Sequence, residues 1–276
     1  MMYTWVLQDL VQEVCRMRCS ELIARLEELA PPHYAEEWDN VGLLAGRRDK
    51  EIKKIMVAVD ATSDVIEQAC RARADLLLTH HPLLFRAQKQ ICSDDFIGKR
   101  LLRLIQSDIC YYAMHTNFDV MGMADAAADE LGLKNPGVLK VTCEDEISCE
   151  GIGRYGKLPG VMMLAECAEY VKTAFALQKV AVYGDLDRMV EVMAVLPGSG
   201  GDEIADALRV GADVYLTGDV SHHDGIDAME QGLSVIDAGH FGLEKLFTTY
   251  MRDYFFRELP ELVLLEAEEK APFQMV

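Results

Sequence analysis

The chain has 276 residues, 50% of them hydrophobic and 26% charged, the composition of a globular protein with a sizeable core rather than a disordered one. Its formal charge of -19 repels polyanions, which excludes a nucleic-acid backbone or an anionic membrane surface as the main partner. A phosphate-bearing small substrate stays compatible, because bound divalent cations would reverse the field inside a pocket.

The opening stretch, MMYTWVLQDLVQEVCRM, carries acids within its apolar pattern and has no basic start, so it reads as neither a secretory signal nor a membrane span. A helix is predicted from Thr4 to Leu29 with a break near Ser20, ended by Pro31 and Pro32. The eight cysteines include no C-x-x-C pair and read as reduced, mostly buried thiols of a cytoplasmic protein. After the loop AEEWDNVGLLAG (35–46) comes a strand, IMVAVD (55–60), then a helix capped by Thr62, Ser63 or Asp64 that runs to about Arg73.

The next apolar run ends in two histidines, ADLLLTHHPLLF (74–85). Pro82 biases His81 toward extended backbone, and the imidazoles stand at a strand's carboxyl end, where open α/β sheets place ligand sites. Along a continuing strand the two side chains would face opposite ways, so both serve one cluster only if the chain turns there. Ile109 to Met114 reads as another strand, followed by His115 and, four residues on, Asp119.

Residues 135–160, rich in Gly, Pro and polar side chains, read as a connection with short β-like pieces. Val180–Tyr183 and Val190–Leu196 are predicted strands around the turn GDLD. The glycine-rich LPGSGGDE (196–203) has the look of a phosphate cradle but lacks a P-loop lysine, and a tight turn with a helix cap is the preferred reading. Leu233–Ile236 is a strand candidate, after which a helical pattern from His240 to Phe256 puts His240 and Glu244 on one face.

Any one of these histidine segments alone could be ordinary core or surface chemistry. In conjunction, His80, His81, His115, Asp119, His240 and Glu244 lie at strand ends in a chain with only seven histidines, and they read as one metal site. Imidazole with carboxylate suits Zn, Mn, Fe and similar ions, and the donors exceed what one four-coordinate ion needs, favouring two divalent metal ions per subunit.

An ungapped shift of 138 residues, the interval from Asp64 to Asp202, lays SDVIEQACRARADLLLT (63–79) on GDEIADALRVGADVYLT (201–217) with eight identities, among them Asp75/Asp213 and Thr79/Thr217. Two related α/β domains follow, three-layered with mixed sheets and a dinuclear metal site at strand carboxyl ends. Residues 1–125 with 232–276 form the expected first domain, carrying the metal ligands, and 126–231 the second. His80 and His81 correspond to Gly218 and Asp219, and the second half offers SHHD (221–224) slightly later.

WDNVGLLAG, LLTHHPLLF, HTNFD, TGDVSHHD and DAGHFGLEK, in that order over nearly the whole chain, resemble the Nif-three-like dinuclear metal-centre family, whose members often bear the name GTP cyclohydrolase I type 2 homologue. The resemblance implies two α/β domains per subunit in a toroidal homohexamer, in the version without an inserted middle domain. It implies metal ligands at His80, His81, Asp119, His240 and Glu244, with His115 and His223 as pocket residues that move a proton, Asp224 in a similar position and His222 less defined. Phe241 departs from the polar residue common in the family, which puts local substrate contacts in doubt. The activity it implies is metal-dependent hydrolysis of a small-molecule substrate such as a nucleotide, with a phosphoesterase, or a non-catalytic regulatory or scaffold protein, as alternatives.

Overall fold

The computed structural model describes residues 17–144 and 149–273. In chain order the strands are β1 (Met17–Arg18), β2 (Gly42–Ala45), β3 (Glu51–Ile52), β4 (Lys54–Ala58), β5 (Leu76–Thr79), β6 (Cys110–Ala113), β7 (Lys134–Glu144), β8 (Cys149–Met163), β9 (Ala181–Tyr183), β10 (Met189–Ser199), β11 (Val214–Gly218), β12 (Ser234–Asp237) and β13 (Val263–Glu266). The helices are α1 (Cys19–Leu29), α2 (Ser63–Ala72), α3 (Phe96–Gln106), α4 (Thr116–Phe118), α5 (Ala124–Glu130), α6 (Leu164–Ala174), α7 (Ile204–Arg209), α8 (His222–Glu230), α9 (His240–Glu244) and α10 (Leu246–Glu258). Among the described residues no helix is long and apolar enough to cross a membrane.

The chain forms two α/β units. The first takes residues 17–29, Asn40–Met114 and Met251–Glu268, and the second Ala30–Asp39, His115–Tyr250 and 269–273. This division runs differently from the expected 1–125, 126–231 and 232–276, because β12 is hydrogen-bonded between β11 and β9 and so joins the second sheet together with the helix that follows it. Residues 4–16 of the expected first helix lie outside the described residues. Within them, Met17–Arg18 pairs antiparallel with Glu51–Ile52 and the helix starts only at Cys19.

The first unit holds a five-stranded sheet in the order β13-β4-β5-β6-β2, parallel except at the β2 edge. Thr62 caps α2 by accepting from the Val65 N–H at 3.2 Å, and Arg73 closes the helix in the left-handed region (φ 53°). Met56, Ala58, Leu77, Tyr111 and Ala113 pack with Val65 and Ile66 of α2 and Leu101 and Leu104 of α3. The alternating residues, such as Leu76 and Leu78, are fully buried as well, so these strands read as unbroken apolar runs.

The second unit holds a six-stranded mixed sheet, β7-β8-β10-β11-β12-β9, with β10, β11 and β12 parallel. Met193, Val195, Val214 and Leu216 point into one core and Ala194, Leu196 and Tyr215 into another, the signature of a sheet covered on both faces. Burial of each such aliphatic side chain contributes roughly 1.5–3 kcal/mol. Residues 135–160 are mostly long strand rather than connection. Their glycines serve close strand approach: a Cβ on Gly151 would lie 2.0 Å from the Lys140 carbonyl oxygen.

The internal echo survives at the level of single hydrogen bonds. Ile55 pairs with Leu76 as Met193 pairs with Val214, at the same 138-residue interval. Asp75 Oδ2 accepts from the backbone N–H groups of Lys53 (2.9 Å) and Lys54 (3.0 Å), and Asp213 Oδ2 accepts from those of Glu191 and Val192 (both 2.9 Å). Lys50 faces Asp75 at 3.6 Å and Arg188 faces Asp213 at 3.9 Å. Each aspartate clamps the start of the strand beside its own.

Candidate metal centre

In the first unit, β5 ends at Thr79 and the chain bends through His80, His81 and Pro82. The Thr79 hydroxyl donates to the His81 carbonyl oxygen at 2.8 Å, and the buried Tyr111 hydroxyl donates to the same oxygen at 3.0 Å while accepting from Leu83 N–H at 2.7 Å. Burial pushes the Tyr111 phenol well above its ordinary pKa, keeping it a donor. The bend brings the two imidazoles alongside each other, ring centres 4.9 Å apart and planes tilted by 47°, where a continuing strand would have split them. His80 is fully buried and donates from Nδ1 to the Met114 carbonyl oxygen at 2.8 Å. His81 is half-buried, with Nδ1 3.0 Å from Asp60 Oδ1.

In the second unit, Asp237 at the end of β12 accepts from Gly239 N–H (2.9 Å) and Val220 N–H (3.0 Å), shaping the connection from which α9 starts. Gly239 takes φ 75°, a conformation glycine adopts without strain. One turn of α9 then sets His240 Nε2 2.9 Å from the oxygen Oε2 of the buried Glu244. His240 Nδ1 lies 2.8 Å from Asp219 Oδ2, and Asp219 itself sits in the left-handed region at φ 56°. The glycine-rich 196–203 segment supplies the floor. A Cβ on Gly198 (φ +87°) would lie 2.6 Å from Glu244 Oε1 and 3.9 Å from His240 Nε2, and one on Gly218 would lie 2.5 Å from the His240 N atom.

His115 opens the same unit's longest segment. Its Nδ1 is 3.0 Å from Asp39 Oδ1, while Thr116 donates to Asp39 Oδ2 from N–H (3.0 Å) and hydroxyl (2.5 Å). Burial works against the Asp39 charge, but the bonds from His115 and Thr116 outweigh it and hold the carboxyl down to about 2. Trp38 packs edge-on against the His115 ring at 5.9 Å. Asp119 follows one turn later, its N–H on the His115 carbonyl oxygen at 3.0 Å, half-buried at the head of a π-helical turn (Asp119–Met123). Such turns are frequent at functional sites. His222 and His223 are exposed on the first turn of α8, ring edge to ring face at 5.3 Å, with Asp224 bound to the capping Ser221 hydroxyl at 2.5 Å.

All four inward histidines follow one rule. Nδ1 of His80, His81, His115 and His240 each meets an oxygen acceptor: Met114 O, Asp60, Asp39 and Asp219. A carbonyl accepts only, so His80 carries its proton on Nδ1, and the carboxylates impose the same tautomer on the others. The Nε2 lone pair is then the atom each ring has left to offer a ligand, with the ring oriented by its Nδ1 partner, the arrangement that metal-binding histidines use. At His240 this lone pair faces a carboxylate oxygen at 2.9 Å, a contact that is repulsive unless a cation or proton sits with it. The donor chemistry therefore fits divalent metal, and histidine and glutamate groups able to hold an ion occur in the described residues.

The acceptors Asp39, Asp60 and Asp219 were not singled out by sequence reasoning. A usable signal existed: Asp60 and Asp219 each come within two residues of the end of an apolar parallel strand, β4 and β11, beside the strands that carry histidines.

Comparison with known proteins adds an independent line. The profile of the Duf34/NIF3 (NGG1p interacting factor 3) family matches residues 17–271. A GTP cyclohydrolase 1 type 2 homolog of Clostridium perfringens is 35% identical over 266 residues, covering 94% of this chain and 100% of the relative. One of Streptomyces coelicolor is 34% identical over 233 residues, covering 82% and 81%. Among solved structures, a Bacillus cereus protein related to NIF3 superposes with TM-score 0.86 at 25% identity, covering 94% of this chain and 99% of that one. Reduced HcgD from Methanocaldococcus jannaschii gives TM-score 0.79 at 34% identity, covering 91% and 98%.

Proposed function

We propose, from the premise that the chain belongs to the Duf34/NIF3 family, that it is a metal-dependent hydrolase of a small phosphorylated substrate such as a nucleotide. Its ligands to two divalent ions are His80, His81, Asp119, His240 and Glu244. The observation that carries this reading is the shared tautomer, which makes Nε2 the ligating atom of each ligand histidine. The name shared by the Clostridium and Streptomyces relatives, GTP cyclohydrolase 1 type 2 homolog, supports a nucleotide as the first substrate to try.

When bound, a metal pair of this donor type lowers the pKa of coordinated water toward neutrality and polarises an electrophilic carbon or phosphorus. Glu244, buried on α9, supplies the negative charge that offsets the cations, and Asp60 and Asp219 fix the rings of His81 and His240. His115, held on Asp39, and His223 on α8 take or return the proton during hydrolysis. The protein works in the cytoplasm as a homohexamer.

The test has two arms. Protein purified without chelator is analysed for bound metal, and single-turnover reactions are run with GTP and with phosphoesters, Glu244→Gln serving as control. Metal-dependent turnover lost in the variant supports a hydrolase. Two ions bound with no turnover of any substrate would replace it with a non-catalytic regulatory or scaffold role.

A further inference from the structure

A second feature of the first unit lies on the outer helices. A cavity of about 350 Å3 opens between α2 and α3, lined by Ser63, Ile66, Glu67, Lys99, Arg100 and Arg103 among others. In a chain of net charge -19, three cations around one small cavity stand out against the general field. Arg103 is spoken for: its fork grips Glu67 at 2.6 and 3.0 Å. Among the described residues Lys99 and Arg100 make no ion pair at contact distance, and Glu67 and Asp60 act on them only at longer range. Arg100 instead donates from Nε to the Ser63 hydroxyl at 3.1 Å and rests over the Phe96 ring at 5.1 Å.

This cluster has a physical cost. Burial depresses the Arg100 pKa more than the charge of Asp60 restores it, the sign of a guanidinium partly withdrawn from water. An anion in the cavity would offset that cost. Ser63 is the first residue of the ten-residue α2, so the positive end of the helix dipole adds to the two cations, while Thr62 takes the Val65 N–H for itself. The half-buried Leu102 adds apolar surface to the lining. The volume is at the lower end of small-molecule sites.

We propose that this cavity binds a small phosphomonoester, the phosphate held by Lys99, Arg100 and the Ser63 hydroxyl, and the organic part laid against Leu102. The arginine fork matches a phosphate face, and lysine adds a point charge. None of the proposed metal ligands takes part, so the site binds in the absence of metal.

The test uses the full chain stripped of metal by a chelator, so that phosphate cannot report on bound ions. It is titrated with adenosine 5′-monophosphate, inorganic phosphate and adenosine, followed by amide shifts in NMR spectra and by calorimetry. The nucleotide and phosphate should bind and move the amides of residues 63–66 and 99–103, while adenosine alone should not. Arg100→Gln and Lys99→Gln should each weaken nucleotide binding about tenfold or more, with unchanged melting temperature, and Arg100→Lys should recover part of the loss. No binding at millimolar nucleotide, shifts confined to the histidine segments, or wild-type affinity in both glutamine variants would overturn the proposal.

Discussion

His240 and Glu244 occupy one turn of α9 with Nε2 2.9 Å from Oε2, while the same ring commits Nδ1 to Asp219. A lone pair and a carboxylate held this close are two donors that one cation would satisfy together. Glu244→Gln keeps the shape and removes the charge, so metal affinity should fall by more than the roughly 10–100-fold typical of losing an outer partner. Competition with a chromophoric chelator measures it, and unchanged affinity would remove Glu244 from the ligand set.

Asp219 acts through His240, and its own backbone complicates the experiment. At φ 56°, asparagine is tolerated almost as well as aspartate, whereas alanine adds about 1 kcal/mol of strain. Asp219→Asn should therefore leave the melting temperature near wild type while weakening metal binding about tenfold, because the neutral amide no longer raises the basicity of the imidazole. Asp219→Ala should lose both stability and metal. Equal metal affinity in wild type and the asparagine variant would show that the ring needs no charged partner.

Much of this arrangement was legible in the sequence, for identifiable reasons. Strands β4, β5, β6, β11 and β12 are short apolar runs buried on both faces, and such runs announce themselves. The pairing of His240 with Glu244 followed from helical periodicity, and the turn at His81 from Pro82. The hydrogen-bonded partners of the histidines did not show, since Asp39 lies 76 residues from His115 and Asp60 lies 21 from His81, separations that only tertiary structure closes. The long β7 and β8 were mistaken for a connection because Gly and Pro mark turns more often than close strand contacts. Gly198 was read as turn chemistry alone, although its missing Cβ also makes room for Glu244.

Acid should expose the contribution of Asp39. Its carboxyl is held at about 2 in the fold against 3.8 ordinarily, so the folded state prefers the ionised form. The stabilisation is complete above about pH 4 and is lost as the pH falls toward 2, amounting to something on the order of 2 kcal/mol. Asp39→Asn should be less stable than wild type at pH 7, with the gap closing between pH 4 and 2. Urea unfolding of both proteins across that range is the measurement, and a gap that stays constant with pH would assign the loss to packing instead.

The duplicated clamp gives the sharpest check on kinship between the units. Asp75 and Asp213 each accept two backbone N–H groups from the neighbouring strand, and each faces a cation on the preceding segment, Lys50 or Arg188. Replacing either with alanine strands two strand-end donors, and the usual cost of such a loss is about 1–3 kcal/mol. Both aspartates are only partly buried, so solvent and salt screen the ion pairs and the backbone bonds dominate. Hydrogen exchange separates the two effects. Asp75→Ala should speed exchange in β4 and β5 and leave β10 and β11 protected, and Asp213→Ala should do the reverse by a similar factor. If one variant collapses while the other is silent, the two clamps do unequal jobs despite their matching geometry.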